Sequence, residues 1–184
     1  MELTEPKLKT YDDYAKMPEG ASCQLIGGEI IMSPAPDLFH QIVSRNIFLL
    51  MNAFVSARQL GELFFAPTDV YFSEHETFQP DILFVSNERL HILKETRIEG
   101  APDLIVEVLS PGTGYYDLAN KKDVYEQSGV KEYWIVDPKL KSIEVLTNQN
   151  GNYVTFAKAK KSGTVASTLL SGFQMDLTSV FESK

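Results

Sequence analysis

The sequence predicts an α/β (α+β) protein with a mixed central sheet flanked by helices. One observation is a long stretch of helical apolar spacing in the first third of the chain. The second is a pair of short, almost wholly apolar runs in the middle, of the kind that form buried strands. The third is a group of three strand-like runs that follow a second helical segment and are joined by tight turns. Helices here precede and interrupt the strands instead of alternating with them, which is the pattern of a sheet covered by helices.

The elements follow in order. Thr10 caps a short helix that runs through Met17 and stops at Pro18. Residues 24–32 read as a hairpin around Gly27-Gly28, followed by a loop with Pro34 and Pro36. Asp37 caps the longest helix, whose apolar positions are Phe39, Ile42, Val43, Ile47, Leu50, Met51, Phe54 and Val55, and Gly61 is its expected C′ residue. Short strands are expected at 62–65, 69–72, 82–85 and 104–109. A second helix spans 117–128, with Gly129 beyond its end. Strands at 132–136, 142–146 and 153–156 follow, joined by Asp137-Pro138 and Asn150-Gly151 turns.

With 184 residues, 43% of them hydrophobic and 23% charged, the chain can bury a core without staples. No repeat or linker divides it, so one domain over residues 1–184 is expected. Cys23 is the only cysteine, which excludes an internal disulfide and fits a reducing compartment. The first ten residues lack the apolar core of a signal peptide, and the apolar segment 47–55 is interrupted by Asn52 and too short to span a bilayer. A cytoplasmic protein is expected. The net charge of −8 argues against sequence-independent nucleic-acid binding through a broad basic face, while leaving room for a local basic groove.

Two acidic residues stand out because of where they sit. Asp81 opens the run Ile82-Leu83-Phe84-Val85, and Glu107 lies inside Leu104-Ile105-Val106-Glu107-Val108-Leu109. A carboxylate in an apolar strand costs several kcal/mol unless a cation, a hydrogen bond or protonation offsets it. If the two strands pair antiparallel, the start of one lies beside the end of the other, and the carboxylates meet. With the backbone carbonyl of Val108 they form an oxygen-rich half-shell suited to Mg²⁺ or Mn²⁺. Taken alone, Asp81 reads equally well as a turn cap, and Asp103, on the same strand face as Glu107, is a rival ligand. Asp117, Lys121 and Tyr125 share one face of the second helix. They form either a surface pair or a route by which Lys121 reaches the carboxylates.

The ordered set Leu25-Ile26-Gly27-Gly28-Glu29, Met32-Ser33-Pro34, His40-Gln41, Gln79-Pro80-Asp81-Ile82, the run from Gly100 to Pro111, Asp117-Leu118-Ala119-Asn120-Lys121, Tyr125, Gly129-Val130 and the run from Glu132 to Pro138 resembles the Uma-type restriction endonuclease family. That family is a branch of the PD-(D/E)XK nucleases, and the resemblance covers nearly the whole chain. It implies a restriction-endonuclease-like core in which an aspartate and a glutamate hold Mg²⁺ and a lysine helps activate the attacking water. Carried across, Asp81 and Glu107 take the metal roles. The usual Glu-X-Lys triplet would place its lysine at position 109, where this chain has Leu109. The resemblance instead assigns the lysine to Lys121 on the following helix, with Lys122 second. His40 matches a family histidine at the start of the long helix. Gln24 stands where family members carry a glutamate, and Gly114-Tyr115-Tyr116 where they carry arginines.

The implied activity is Mg²⁺-dependent hydrolysis of DNA, and a homodimer is the natural assembly for cutting both strands. The alternative from a different class is a nuclease fold kept as a DNA- or protein-binding module, which Gln24 and the acidic net charge favour. An acid–base hydrolase using two carboxylates without metal is a third option, and it requires both carboxyls to have raised pKa values.

Overall fold

The computed structural model describes residues 7–18, 20–110 and 114–182; the side chains of residues 114–117 also lie outside the description. At its centre is a six-stranded sheet in the order β11-β10-β9-β8-β6-β3. Its strands are β3 (Gly61–Phe65), β6 (Ile82–Ser86), β8 (Leu104–Val108), β9 (Glu132–Asp137), β10 (Ser142–Gln149) and β11 (Asn152–Lys160). β8 runs antiparallel to β6 and parallel to β9, so the sheet is mixed. All five residues of β8 are buried, which fits a central strand covered on both faces.

Helix α2 (Leu38–Arg58) covers one face of this sheet. Its Val43, Ile47, Met51 and Val55 recur at helical spacing and pack against Ile82, Phe84, Val106, Trp134 and Val136. The C-terminal hairpin β12 (Thr164–Ala166) and β13 (Gln174–Asp176), with α4 (Leu177–Phe181), closes the same side. The other face carries α3 (Gly114–Ser128) and a second sheet in the order β2-β1-β5-β4-β7. That sheet consists of β1 (Cys23–Ile26), β2 (Glu29–Met32), β4 (Val70–Ser73), β5 (Glu76–Phe78) and β7 (Ile98–Glu99). Leu83, Val85, Ile105, Tyr125 and Tyr133 fill the space between.

Several expectations shift in detail. Helix α1 spans only Tyr11–Tyr14, and α3 begins at Gly114, three residues before the expected start. Strands β5 and β7 went unread because they are three and two residues long. Gly61 is not the C′ residue of α2: Gln59 takes the left-handed conformation at φ 53°, and Gly61 opens β3. Glycine is required there for another reason, since a Cβ would come within 2.1 Å of the Val85 carbonyl oxygen. Helix α2 is longer than its most apolar segment, 47–55. By length and composition it could cross a membrane, but here its buried stripe is the core against the sheet.

Asp103, the rival ligand, immediately precedes β8 at the end away from Val108. It accepts a hydrogen bond from the Ser86 N–H at 2.8 Å and pairs with Lys131 at 2.7 Å and Arg89 at 3.6 Å. Burial pushes its carboxyl up, but Lys131 and Ser86 outweigh burial and hold it below its ordinary value of 3.8. A carboxyl with a lowered folded pKa contributes stability above its unfolded pKa and loses it as pH falls through the folded value. Asp103→Asn is therefore expected to cost about 1–3 kcal/mol near neutral pH. The gap to wild type should close below about pH 4 in denaturant titrations. An equal gap at both pH values would contradict this ion-pair account.

Candidate active site

The site forms where β6 begins and β8 ends. The register pairs Ile82 with Val106, so one step further along Asp81 faces Glu107 across the antiparallel pair. Both side chains project to the α3 face, because Leu83 and Ile105, two residues away, belong to that core. The Val108 N–H donates to Asp81 Oδ2 at 2.8 Å and ties the two strand ends together. Asp81, Glu107 and Lys121 line one cavity of about 260 Å³, walled on its far side by the β1–β2 hairpin.

Glu107 is only 8% exposed. Its Oε1 accepts hydrogen bonds from Lys121 Nζ at 3.0 Å and the Tyr125 hydroxyl at 2.6 Å. Lys121 and Tyr125 are one helical turn apart on α3, which places both donors on the face toward β8. Burial pushes the Glu107 carboxyl up, the Lys121 ammonium pulls it down and the Asp81 charge pushes it up again, leaving it above the usual glutamate value. Burial and the Glu107 charge hold the Tyr125 hydroxyl well above its ordinary range, so it remains a donor.

His40 sits in the first turn of α2, whose N-terminus is capped by Asp37 Oδ1 accepting from the His40 N–H at 2.7 Å. The imidazole is 4% exposed and reaches over the end of the sheet. Its Nε2 lies 2.9 Å from the Val108 carbonyl oxygen and 3.3 Å from Asp81 Oδ2, while Nδ1 faces Ser44 Oγ at 3.5 Å. Burial pulls its pKa down, but Asp81 and the Val108 carbonyl more than offset this and hold it above the ordinary value.

Sequence reasoning named Asp81, Glu107, Lys121, Val108, His40 and Gln24, and all six line the same cavity. They do not all keep the roles expected of them. Gln24 is no spare ligand: its Oε1 accepts the Gln79 N–H at 3.0 Å and its Nε2 donates to Ser33 Oγ at 3.2 Å. It fixes the backbone just before Pro80-Asp81. The Val108 carbonyl accepts from His40 and keeps a second lone pair. Among the described residues, Asp81 Oδ1 and Glu107 Oε2 accept no protein hydrogen bond, and they are the carboxylate oxygens left open. The side chains of Tyr115, Tyr116 and Asp117 lie outside the described residues.

Sequence reasoning missed a second tier of partners. Gln79 Nε2 and the Tyr14 hydroxyl both donate to Asp69 Oδ1 at 2.8 Å, bracing the segment that carries Asp81. Tyr14 and Asp69 are 55 residues apart, and no local pattern links them.

Residues 9–178 match the family Uma2, described as "Putative restriction endonuclease". The chain belongs to the Uma2 family. Among curated proteins none matches it. Of solved structures, a protein from Anabaena variabilis ATCC 29413, described as "a putative nuclease belonging to DUF820", superposes with a TM-score of 0.78 at 22% identity. The match covers 94% of this chain and 97% of that one. It establishes a shared fold. The family match gives this Uma2 protein a nuclease-like character.

The donor set of the site can be set against the hard divalent cation that the family implies. Among the described residues no group of three or more His, Cys, Asp or Glu side chains is arranged to hold a metal. Two carboxylates with one open oxygen each nevertheless fit Mg²⁺, which is commonly held by one or two carboxylates, with water and substrate phosphate completing its shell.

His40→Ala removes the donor that engages the buried end of β8. It should cost about 1–3 kcal/mol in urea unfolding, whereas Ser44→Ala, which loses only a long contact, should stay within about 0.5 kcal/mol. Equal effects would show that the imidazole does not brace the strand ends.

Proposed function

We propose that this protein is a Mg²⁺- or Mn²⁺-dependent endonuclease that hydrolyses phosphodiester bonds in DNA, with Asp81, Glu107 and Lys121 as its catalytic residues. The observation that carries this reading is the juxtaposition of Asp81 and Glu107 across the β6–β8 pair, with the Lys121 ammonium on Glu107 and an open cavity in front. Two carboxylates opposite each other on one face of the strand pair repel, and the Lys121 ammonium contacts Glu107 alone, leaving Asp81 to the Val108 N–H and His40. A shared divalent cation would offset the repulsion that remains.

Asp81 Oδ1 and Glu107 Oε2 would hold the ion. When bound, such an ion neutralises phosphate charge and makes water acidic enough to attack near neutral pH. The remaining work belongs to the chain. The Val108 N–H and His40 fix Asp81 through Oδ2, which leaves Oδ1 available in a residue that lines the cavity. Lys121 and Tyr125 together fix Glu107 through Oε1, leaving Oε2 available. Lys121 has hydrogens beyond the one given to Glu107. With its ammonium at the cavity wall it can orient the attacking water or donate to a phosphate oxygen as negative charge builds. Low exposure of Lys121 (6%) and Glu107 strengthens these interactions by keeping bulk water away.

The test is cleavage of supercoiled plasmid and of single-stranded DNA with Mg²⁺, with Mn²⁺ and with a chelator. Wild type should cleave only with the metals. Glu107→Gln and Asp81→Asn should lose activity by roughly 10²–10³-fold. Lys121→Met should lose a similar factor while still binding metal, since neither open oxygen is touched. Cleavage that survives the chelator would move the assignment to metal-free acid–base hydrolysis. Absence of cleavage by wild type under every condition would favour a binding module built on the nuclease fold.

A further inference from the structure

The acidic net charge hides a local exception. Six of the chain's 17 lysines and arginines (Lys122, Lys139, Lys141, Lys158, Lys160 and Lys161) gather at one corner of the central sheet. The topology places that corner beside the candidate active site. β8 is parallel to β9, with Val108 opposite Val136, and β10 is antiparallel to both β9 and β11. The sheet end that carries Glu107 and Val108 therefore continues through Asp137 of β9 and Ser142 of β10 to Lys160 of β11. Three inter-strand steps of about 4.8 Å separate β8 from β11, about 14 Å in all.

The face is shared as well as the end. Val106, Val108, Trp134, Val136, Ile143 and Val145 belong to the core under α2, and Ala157 and Ala159 pack against that same core. By strand alternation Glu107, Asp137, Glu144, Lys158 and Lys160 project to the opposite face, where α3 lies. Lys158 reaches Glu144 at 2.6 Å, and burial, which pushes the Glu144 carboxyl up, is outweighed by Lys158, Thr155 and Lys122 together. Lys122, on α3, thus lies near enough to Glu144 to act on its carboxyl. Acidic groups here are Glu144, engaged by Lys158, and Asp137, whose Oδ1 accepts the Leu140 N–H at 2.9 Å. Among the described residues no ion pair engages Lys122, Lys139, Lys141, Lys160 or Lys161.

Two of these lysines occupy backbone positions that disfavour them. Lys141 and Lys161 have φ of 49° and 67°, a region where glycine or asparagine is the less strained choice. The Lys161 N–H donates to the Lys141 carbonyl at 2.7 Å, which sets the two side by side. Lysines on an edge strand such as β11 also discourage edge-to-edge pairing. That role accounts for Lys158 and Lys160 but not for Lys139 and Lys141 in the preceding turn or for Lys122 on the helix.

We infer that this lysine ridge binds the sugar-phosphate backbone of a nucleic-acid strand on its way to the Asp81–Glu107 cavity. The inference rests on the nuclease reading and supplies the substrate surface that reading lacks. At about 3.4 Å of rise per phosphate along one strand, 14 Å spans roughly four phosphates. A polyanion anchored there is delivered to the recessed site without need of a basic face over the rest of the molecule.

The experiment is fluorescence anisotropy of a short fluorescein-labelled DNA oligonucleotide of mixed sequence, as single strand and as duplex, titrated with the full chain in chelator over a series of salt concentrations. Lys158→Ala/Lys160→Ala/Lys161→Ala should raise Kd at least about tenfold at low salt. It should also flatten the slope of log K against log salt by about 2 for the single strand. Lys158→Arg/Lys160→Arg/Lys161→Arg should bind as wild type. Lys7→Ala/Lys9→Ala/Lys16→Ala, which loses the same charge elsewhere, should change neither quantity appreciably. Wild-type binding by the alanine ridge variant, equal weakening by the N-terminal variant, or no binding by wild type would each overturn the ridge. Chelator separates this result from cleavage: ridge-dependent binding by a protein that never cleaves supports the ridge and counts against the nuclease reading.

Discussion

Glu107 is held inside the α3 face of a strand that is buried along its whole length, and across the pair stands Asp81, a second carboxylate on the same face. The rest of the site answers this arrangement. Lys121 and Tyr125 converge on one oxygen of Glu107, and the Val108 N–H and His40 converge on one oxygen of Asp81. Among the described residues, each carboxylate is fixed at one oxygen and open at the other. Lys121 contacts Glu107 alone and His40 stands beside Asp81, and a like-charge pair that lines one cavity with an oxygen of each carboxylate unclaimed among the described residues has the form of a cation site.

The surrounding fold supplies the stiffness such a site needs. Antiparallel pairing of β6 with β8 sets the carboxylates opposite each other by register alone. Helix α2 contributes His40 because Asp37 starts the helix at that point, and α3 contributes Lys121 and Tyr125 from successive turns. Gln24 of the second sheet, with Gln79, Asp69 and Tyr14 of helix α1, braces the Pro80-Asp81 approach, and the β1–β2 hairpin walls the cavity. The lysine ridge lies beyond the same strand ends, so the proposed substrate surface and the proposed catalytic residues share one end of one sheet.

Much of this was legible in the sequence. Apolar runs around Asp81 and Glu107 marked buried strands, and the cost of a carboxylate in such a strand made both residues conspicuous. Helical spacing linked Lys121 to Tyr125, although it could not say which way that face turned. What stayed hidden depends on long-range contacts. Nothing near Gln24 announces that its oxygen is claimed by the Gln79 N–H, and nothing near Asp103 announces Lys131 and Arg89. Gly61 looked like a helix terminator because its reason for being glycine, the Val85 carbonyl, lies on another strand. The lysine ridge was equally invisible, since its members span residues 122–161 and only strand order brings them together.

The central claim is that Asp81 and Glu107 form one binding site for one hard divalent cation. Calorimetric titration of Mg²⁺ and Mn²⁺ into wild type, Glu107→Gln and Asp81→Asn reads this without reference to cleavage. The account predicts saturable binding of a single ion by wild type, loss of that binding in either variant, and a metal-dependent rise in melting temperature confined to wild type. Binding that persists unchanged when Glu107 is replaced would contradict it.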